Sequence, residues 1–349
     1  MSQALDQSIN SIPFFNIAVI GGGAAGIMAV NRAVLNNDQV VWFTGDARSI
    51  KRSRARWVKQ VDNVPGLLGL EKSIIDSNKT MSDWLILHPL GVKNLTIRNA
   101  ESITNVKVIP KGDEFYFELT NQKNEKVNAH FIVLCTGIMD VQPKINESIR
   151  PILPFANKQL ALYCLRCDGH LNWKKDLAVI GHDNSAAWVA IMNKERYELE
   201  NIFILTNGEV PKFNDEIKEL IKLYEIRIHT SPIKDIQGDA KAKILKSILL
   251  SDGEVVICQS LFISLGIIAY NEIAKLLNAQ LDERGLVVCN ANGESTVSKL
   301  YVAGDLRANA KKQIYTAWDQ AVDCLDHINQ RLRAKKRSDK LLKFRERNL

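Results

Sequence analysis

The sequence predicts an α/β protein of two doubly wound units, the second inserted into the first. Three observations carry that prediction. A glycine turn, Gly21-x-Gly23-x-x-Gly26, directly follows the apolar run Ile17–Ile20 and opens a helix-forming stretch. The same β–turn–α grammar returns at "LAVIGHDNSAA", residues 177–187, centred on Gly181. Two further apolar runs that end in glycine, "SLFISLG" and "KLYVAGD", follow the second turn and bring the chain back to the first unit.

The elements follow in order. "FNIAVI" reads as a strand, and "QVVWFTGD" as a second that places Asp46 twenty residues after Gly26, where a ribose-binding acid belongs. A bare G-x-G-x-x-G also describes a plain glycine turn; with its strand, helix and spaced acid it becomes a Rossmann-type fingerprint. "FYFELTN" and "FIVLCTG" read as later strands, the second closed by Thr136-Gly137. "SLFISLG" ends at Gly266 and "KLYVAGD" at Gly304-Asp305. In "IYTAWDQAVDCLDHINQRL", Ala317, Ala321, Cys324, Leu325 and Ile328 share one helix face.

With 349 residues and 46% hydrophobic content, the chain can bury two cores. No apolar run reaches the length of a membrane span. "MSQALDQSINSIPFF" lacks the basic start and apolar stretch of a signal peptide, and six cysteines are too few for a disulfide scaffold, so the expectation is a cytoplasmic, mostly reduced protein. The net charge of +7 sits in residues 331–349, which carry nine Lys/Arg and two acids; residues 1–330 balance at 37 against 37. A neutral body with a basic tail does not suggest a nucleic-acid protein, which spreads cations over a folded face.

Cys164-Leu165-Arg166-Cys167 has the spacing of a redox dithiol at a helix start, where the helix dipole and a cation such as Arg166 lower a thiol's pKa. The same pair could be structural. It could also join His170 at zinc, but a zinc site wants four ligands, no second pair exists, and no metal site is expected. Cys135, Cys258, Cys289 and Cys324 stand alone in apolar runs or on a helix face and read as core.

The fixed order of Gly21–Gly26, "VDNVPG" (61–66), "CTG" (135–137), "CLRCDG" (164–169), the turn at Gly181, and "YVAGD" (301–305) followed by Lys312-Gln313 resembles the low-molecular-weight thioredoxin reductases. These are FAD-containing homodimers that reduce thioredoxin through a CxxC pair. The resemblance covers residues 14–330. It implies an FAD-binding domain in two parts, 1–142 and 258–330, a degenerate NADP-binding-like domain carrying the CxxC at 143–257, and a basic C-terminal tail at 331–349. FAD contacts would come from Gly21, Gly23, Ala24, Ala25, Gly26, Asp46, Asn63 (near the isoalloxazine), Thr136, Gly137, Gly304, Asp305 (on the ribityl chain), Lys312, Gln313 and Ile314. Cys167 would face the flavin, Cys164 would attack the partner's disulfide, and Asp168 would protonate a leaving thiolate. His170 is a second candidate proton carrier, or an ordinary exposed histidine.

The second turn departs from the family. NADPH-using relatives read Gly-Gly-Gly-Asn-Thr-Ala; here the residues are Gly181, His182, Asp183, Asn184, Ser185 and Ala186. A carboxylate about 4 Å from a phosphate charge repels it by roughly 4 kcal/mol at an effective dielectric of 20. Thr206-Asn207-Gly208, followed by Glu209, replace the His-Arg-Arg cluster that grips the 2′-phosphate. The chain therefore resembles the pyridine-nucleotide-independent branch, the ferredoxin-dependent flavin thioredoxin reductases and deeply rooted thioredoxin reductases. Trp318-Asp319 would lie near the cofactor's pyrimidine side.

The expected partners are a thioredoxin-like acceptor, an acidic donor such as ferredoxin, and a second copy in a homodimer. "KRSRARWVKQ" (51–60) is either a solvated loop or a docking patch for an acidic protein. The tail reads as a disordered solubilising end, or as a weak amphipathic repeat (Leu341, Leu342, Phe344) suited to an acidic partner, an anionic membrane surface or RNA. Phe344 could also stack on the flavin. The competing functions are a dithiol oxidase that gives electrons to oxygen, a conventional NAD(P)H thioredoxin reductase, and a non-enzymatic flavin-bearing sensor.

Overall fold

The computed structural model describes residues 12–46, 54 and 57–348. The chain forms two compact units: the described residues within 1–50, 78–137 and 269–349, and those within 51–77 and 138–268. From the N-terminus it runs β1 (Phe14–Ile20), α1 (Ala24–Leu35), β2 (Val40–Phe43), α2 (Ser73–Leu87), α3 (Pro89–Asn94), β3 (Leu95–Arg98), β4 (Ile103–Lys111), β5 (Glu114–Asn121) and β6 (Lys126–Leu134). Next come β7 (Ile138–Asp140), α4 (Leu153–Ala156), β8 (Ala161–Leu162), α5 (Leu165–Asp168), β9 (Leu177–Ile180), α6 (Asn184–Tyr197), β10 (Ile202–Leu205), α7 (Asp215–Leu223) and β11 (Arg227–His229). The rest is β12 (Ile233–Asp239), β13 (Ile244–Leu250), β14 (Val255–Ile257), β15 (Ser260–Ile263), β16 (Ile267–Ala269), α8 (Glu272–Leu276), β17 (Leu300–Val302) and α9 (Ile314–Arg347).

In the first unit β3, β2, β1 and β6 run parallel in that order. β6 changes partner along its length: residues 126–129 pair antiparallel with β5, and residues 132–134 pair parallel with β17. A parallel strand is buried on both faces, which is why Ile17–Ile20 is apolar throughout. Ile17 and Val19 pack with Ala29 and Val30 of α1 and Ala321 and Leu325 of α9. Ala18 and Ile20 pack on the other face with Phe117, Leu119 and Leu300.

The second unit repeats the plan with β11, β10, β9, β15 and β8 in parallel order. Leu177 and Val179 meet Ala187, Ile191 and Ile217 of α6 and α7. Ala178 and Ile180 meet the antiparallel β12–β13–β14 layer through Ile248 and Leu250.

Cys135, Cys258 and Cys324 are core, whereas Cys289 is only half-buried at the margin of its cluster. Of the basic stretch 51–60, Lys51, Arg52, Ser53, Ala55 and Arg56 lie outside the described residues. Residues 331–347 are not an unstructured end but the second half of α9. No glycine or proline interrupts them, and Lys, Arg, Leu and Glu are good helix formers. Arg331–Glu294 and Arg333–Asp38 pairs tie that half to the first unit. No helix among the described residues is long and apolar enough to cross a membrane.

Candidate active site

The first glycine turn is built by close backbone approach. A Cβ on Gly21 would lie 2.2 Å from the Cys135 carbonyl oxygen, and one on Gly26 would lie 1.9 Å from the Gly21 carbonyl oxygen. That oxygen accepts the Trp42 indole N–H at 2.9 Å. Gly23 differs: apart from its own chain neighbours, no atom of the described residues lies within 4 Å of a Cβ built there. It caps α1 with no side-chain hydrogen bond and no acid in the first turn, so Ala24, Ala25 and Gly26 leave the helix N–H groups to a ligand.

The other sequence-predicted cradle residues gather at the C-terminal ends of neighbouring strands. Asp46 follows β2, Thr136-Gly137 follows β6, and Gly304-Asp305 follows β17. In an open α/β sheet that end holds the ligand crevice. A Cβ on Gly304 would come 3.0 Å from Ala25 Cβ and 3.7 Å from Ala317 Cβ, so Gly304 sits against the first turns of both α1 and α9. Gln313 is the N-cap of α9, again with no side-chain cap bond, and Ile314 is its first residue; Lys312 Nζ donates to the Arg307 carbonyl. Thr136 Oγ1 donates to the Tyr270 carbonyl at 2.7 Å. Two uncapped helix N-termini and an open glycine fit the pyrophosphate of FAD. Asn63 belongs to the second unit.

Sequence reasoning missed Gln320, a buried residue whose Oε1 accepts the Gly304 N–H at 2.8 Å and fixes that turn. Its signal was a polar residue on the otherwise apolar face of α9.

In the second unit Cys164 and Cys167 form a disulfide. Cys164 is the N-cap of α5, and its Sγ accepts the Cys167 N–H at 3.2 Å. Asp168 follows directly, 2% exposed, and its Oδ2 has no hydrogen-bond partner among the described residues. Burial pushes its carboxyl up to about 7 against the pull of Arg54, and the Asp62 and Asp140 carboxylates add to the rise. Arg54 is held in a bidentate pair with Asp140. Tyr163, beside Cys164, donates to Gln142 Oε1 at 2.6 Å, and burial holds its phenol well above the ordinary range. Asp62 Oδ2 accepts from Gln159 Nε2 at 3.3 Å and lies 3.6 Å from His170 Nε2. A dithiol followed by a buried, protonatable carboxyl can exchange disulfides and supply the proton.

The second glycine turn has kept its fold. Gly181 approaches Ser264, a Cβ there falling 2.5 Å from the carbonyl oxygen. Asp183 is the N-cap of α6, and its Oδ1 accepts the N–H groups of Ser185 at 3.0 Å and Ala186 at 3.2 Å. Thr206 Oγ1 donates to the Glu209 carbonyl, and Asn207 bridges the Lys144 carbonyl and the Ile233 N–H.

Fold and site together define a nucleotide-cofactor disulfide oxidoreductase. The chain belongs to the pyridine nucleotide-disulphide oxidoreductase family, whose model matches residues 15–321. It is similar to thioredoxin reductase of Mycoplasma genitalium, 24% identical over 318 residues that cover 88% of this chain and 92% of the relative. Among solved structures it resembles thioredoxin reductase from Streptococcus pyogenes, with a TM-score of 0.77 at 19% identity over 93% of this chain and 100% of that one. The thioredoxin reductase from Giardia duodenalis gives 0.74 at 18% identity, over 92% and 99%. The chain is thus a thioredoxin reductase-like enzyme, and FAD is the cofactor of that group.

Proposed function

We propose that this enzyme reduces the disulfide of a thioredoxin-like protein with electrons that enter FAD from a donor other than NADPH or NADH, an acidic one-electron carrier of the ferredoxin class. The observation that carries the reading is the Asp183 cap on α6. Its carboxylate takes the two N–H groups that a dinucleotide pyrophosphate would need, besides repelling it. The 2′-phosphate loop supports the same reading, since Thr206 and Asn207 are committed to backbone partners and offer no cation.

A bound flavin, reduced by two successive one-electron transfers from the donor, would supply the two electrons that open the Cys164–Cys167 disulfide. The Cys164 thiolate then attacks one sulfur of the partner disulfide, forming a mixed disulfide and expelling the other sulfur as a thiolate, which Asp168 protonates. Cys167 attacks Cys164 Sγ, releases the second partner thiol and restores the intramolecular disulfide. Asp168 holds a proton near neutral pH because its site is buried. The cradle of Gly21–Gly26, Asp46, Thr136-Gly137, Gly304-Asp305 and Lys312–Ile314 would hold the cofactor, and the enzyme would work as a cytoplasmic homodimer.

Anaerobic stopped-flow mixing tests the donor. Neither NADPH nor NADH is expected to bleach the flavin, whereas reduced ferredoxin is. Complete bleaching within seconds at micromolar NADPH would overturn the reading.

A further inference from the structure

A basic groove of about 820 Å³ lies on the first unit between the second half of α9 and the sheet edge. Nine lysines and arginines line it against three carboxylates. Lys336, Lys340 and Lys343 form the helix wall, with Lys93, Lys111 and Lys299 on the facing side. On α9, Arg333, Lys336, Lys340, Lys343 and Arg347 recur at alternating spacings of three and four residues. That is one continuous helix face about 21 Å long. Like-charged neighbours on such a face repel one another. A helix C-terminus favours cations only in its last turn, which accounts for Arg347 and not for Lys336 or Lys340.

Internal acids neutralise part of the groove: Asp38 pairs with Arg333, Glu114 with Lys299 and Lys335, and Asp339 lies on α9 itself, three residues from Lys336 and four from Lys343, with no ion pair among the described residues. Among the described residues Lys111, Lys336, Lys340 and Lys343 have no carboxylate partner. The local field is positive enough to act on His130, whose imidazole is pushed down by burial and then by Lys299, Lys335 and Lys111.

We propose that this groove is a docking site for an acidic polypeptide segment. Charge complementarity demands a polyanion, and the walls choose among polyanions. The groove is concave with cations on both sides, so a flat anionic bilayer reaches only one of them. The exposed Leu341 and Phe344, which a bilayer would want, are absent from its lining. Single-stranded nucleic acid needs open aromatic faces for base stacking. Here Lys299 covers Phe115, Arg331 covers Phe131, and Phe14 packs on Tyr116 and His130. Asn16, Gln39 and Lys299 place the groove at the N-terminal ends of β1, β2 and β17, whereas the cofactor cradle lies at their C-terminal ends. The site therefore holds a partner without forming the electron entry, and it stands apart from the donor reading above.

The test is fluorescence anisotropy on the full-length holoprotein with a labelled oligo-glutamate peptide, a single-stranded RNA of equal charge, and phosphatidylglycerol vesicles. The peptide is expected to bind in a salt-dependent manner. Lys336→Glu/Lys340→Glu should weaken it about tenfold or more, and Lys93→Glu/Lys111→Glu on the facing wall should do the same without touching the helix. Arg337→Glu/Arg345→Glu, an equal charge change off the ladder, should shift binding less than about threefold. Disulfide reduction should be unchanged in all three. Equal losses in every variant, absence of peptide binding, or tighter binding of RNA or vesicles would overturn the proposal.

Discussion

Asp168 is where one residue's environment is expected to set the chemistry. Its carboxyl is almost wholly buried, and Arg54, the cation that pulls on it among the described residues, is already paired with Asp140. Burial therefore wins, and the group stays protonated up to about 7. The folded protein thus holds a proton between about pH 4 and 7 that the unfolded chain releases, so this group's contribution to stability falls as pH rises through that window. Asp168→Asn should match the unmodified protein in stability near pH 4 and exceed it by a few kcal/mol at pH 8, read by urea unfolding. The same variant should slow disulfide reduction about 10²–10⁴-fold and lose the decline above pH 7. Unchanged pH profiles for both would remove Asp168 from the proton path.

At the scale of elements, the β1–turn–α1 unit separates what a glycine does for the fold from what it does for a ligand. Gly26 has no room for a Cβ, so Gly26→Ala should damage the turn itself. Gly23 has room and an extended backbone, φ −84° and ψ −168°. Gly23→Val should therefore cost the apoprotein only the N-cap preference for glycine, about 1 kcal/mol in urea unfolding, while abolishing retention of FAD, measured as flavin absorbance after gel filtration. Full flavin retention would mean that the cradle lies elsewhere. Both β–turn–α units were legible in the sequence, because strands buried on two faces are continuous apolar runs ending in a fixed glycine turn. The dithiol was legible because its partners are three residues apart. Arg54–Asp140, Tyr163–Gln142 and Gln320–Gly304 were not, since each joins residues of different segments whose meeting is set by tertiary packing and not by a local spacing. The tail misled for a different reason: its charge density suggested disorder, whereas its lack of helix breakers decided the outcome.

At the scale of the whole molecule, the question is how far the second unit has moved from nucleotide binding. Asp183→Gly frees the Ser185 and Ala186 N–H groups, and a glycine N-cap costs only about a few tenths of a kcal/mol. Relief of the charge repulsion is worth of order a thousandfold in affinity, so this variant should gain weak dinucleotide binding, with NADH no worse than NADPH. Rebuilding a 2′-phosphate grip is much harder. Gly208 sits at φ +86°, where a Cβ would come 3.2 Å from Pro232 Cγ, and Asn207 at φ +53° ties Lys144 to Ile233 through its side chain. Arginine at 208 adds backbone strain of about 1–3 kcal/mol, and arginine at 207 strands the Ile233 N–H at a similar cost. Asp183→Gly/Asn207→Arg/Gly208→Arg should therefore unfold at markedly lower urea than Asp183→Gly and still discriminate poorly for NADPH in calorimetric titration. If the triple variant is as stable as the single one and prefers NADPH, the loop has kept a latent nucleotide site, and the Asp183 cap alone separates this chain from an NADPH-dependent reductase.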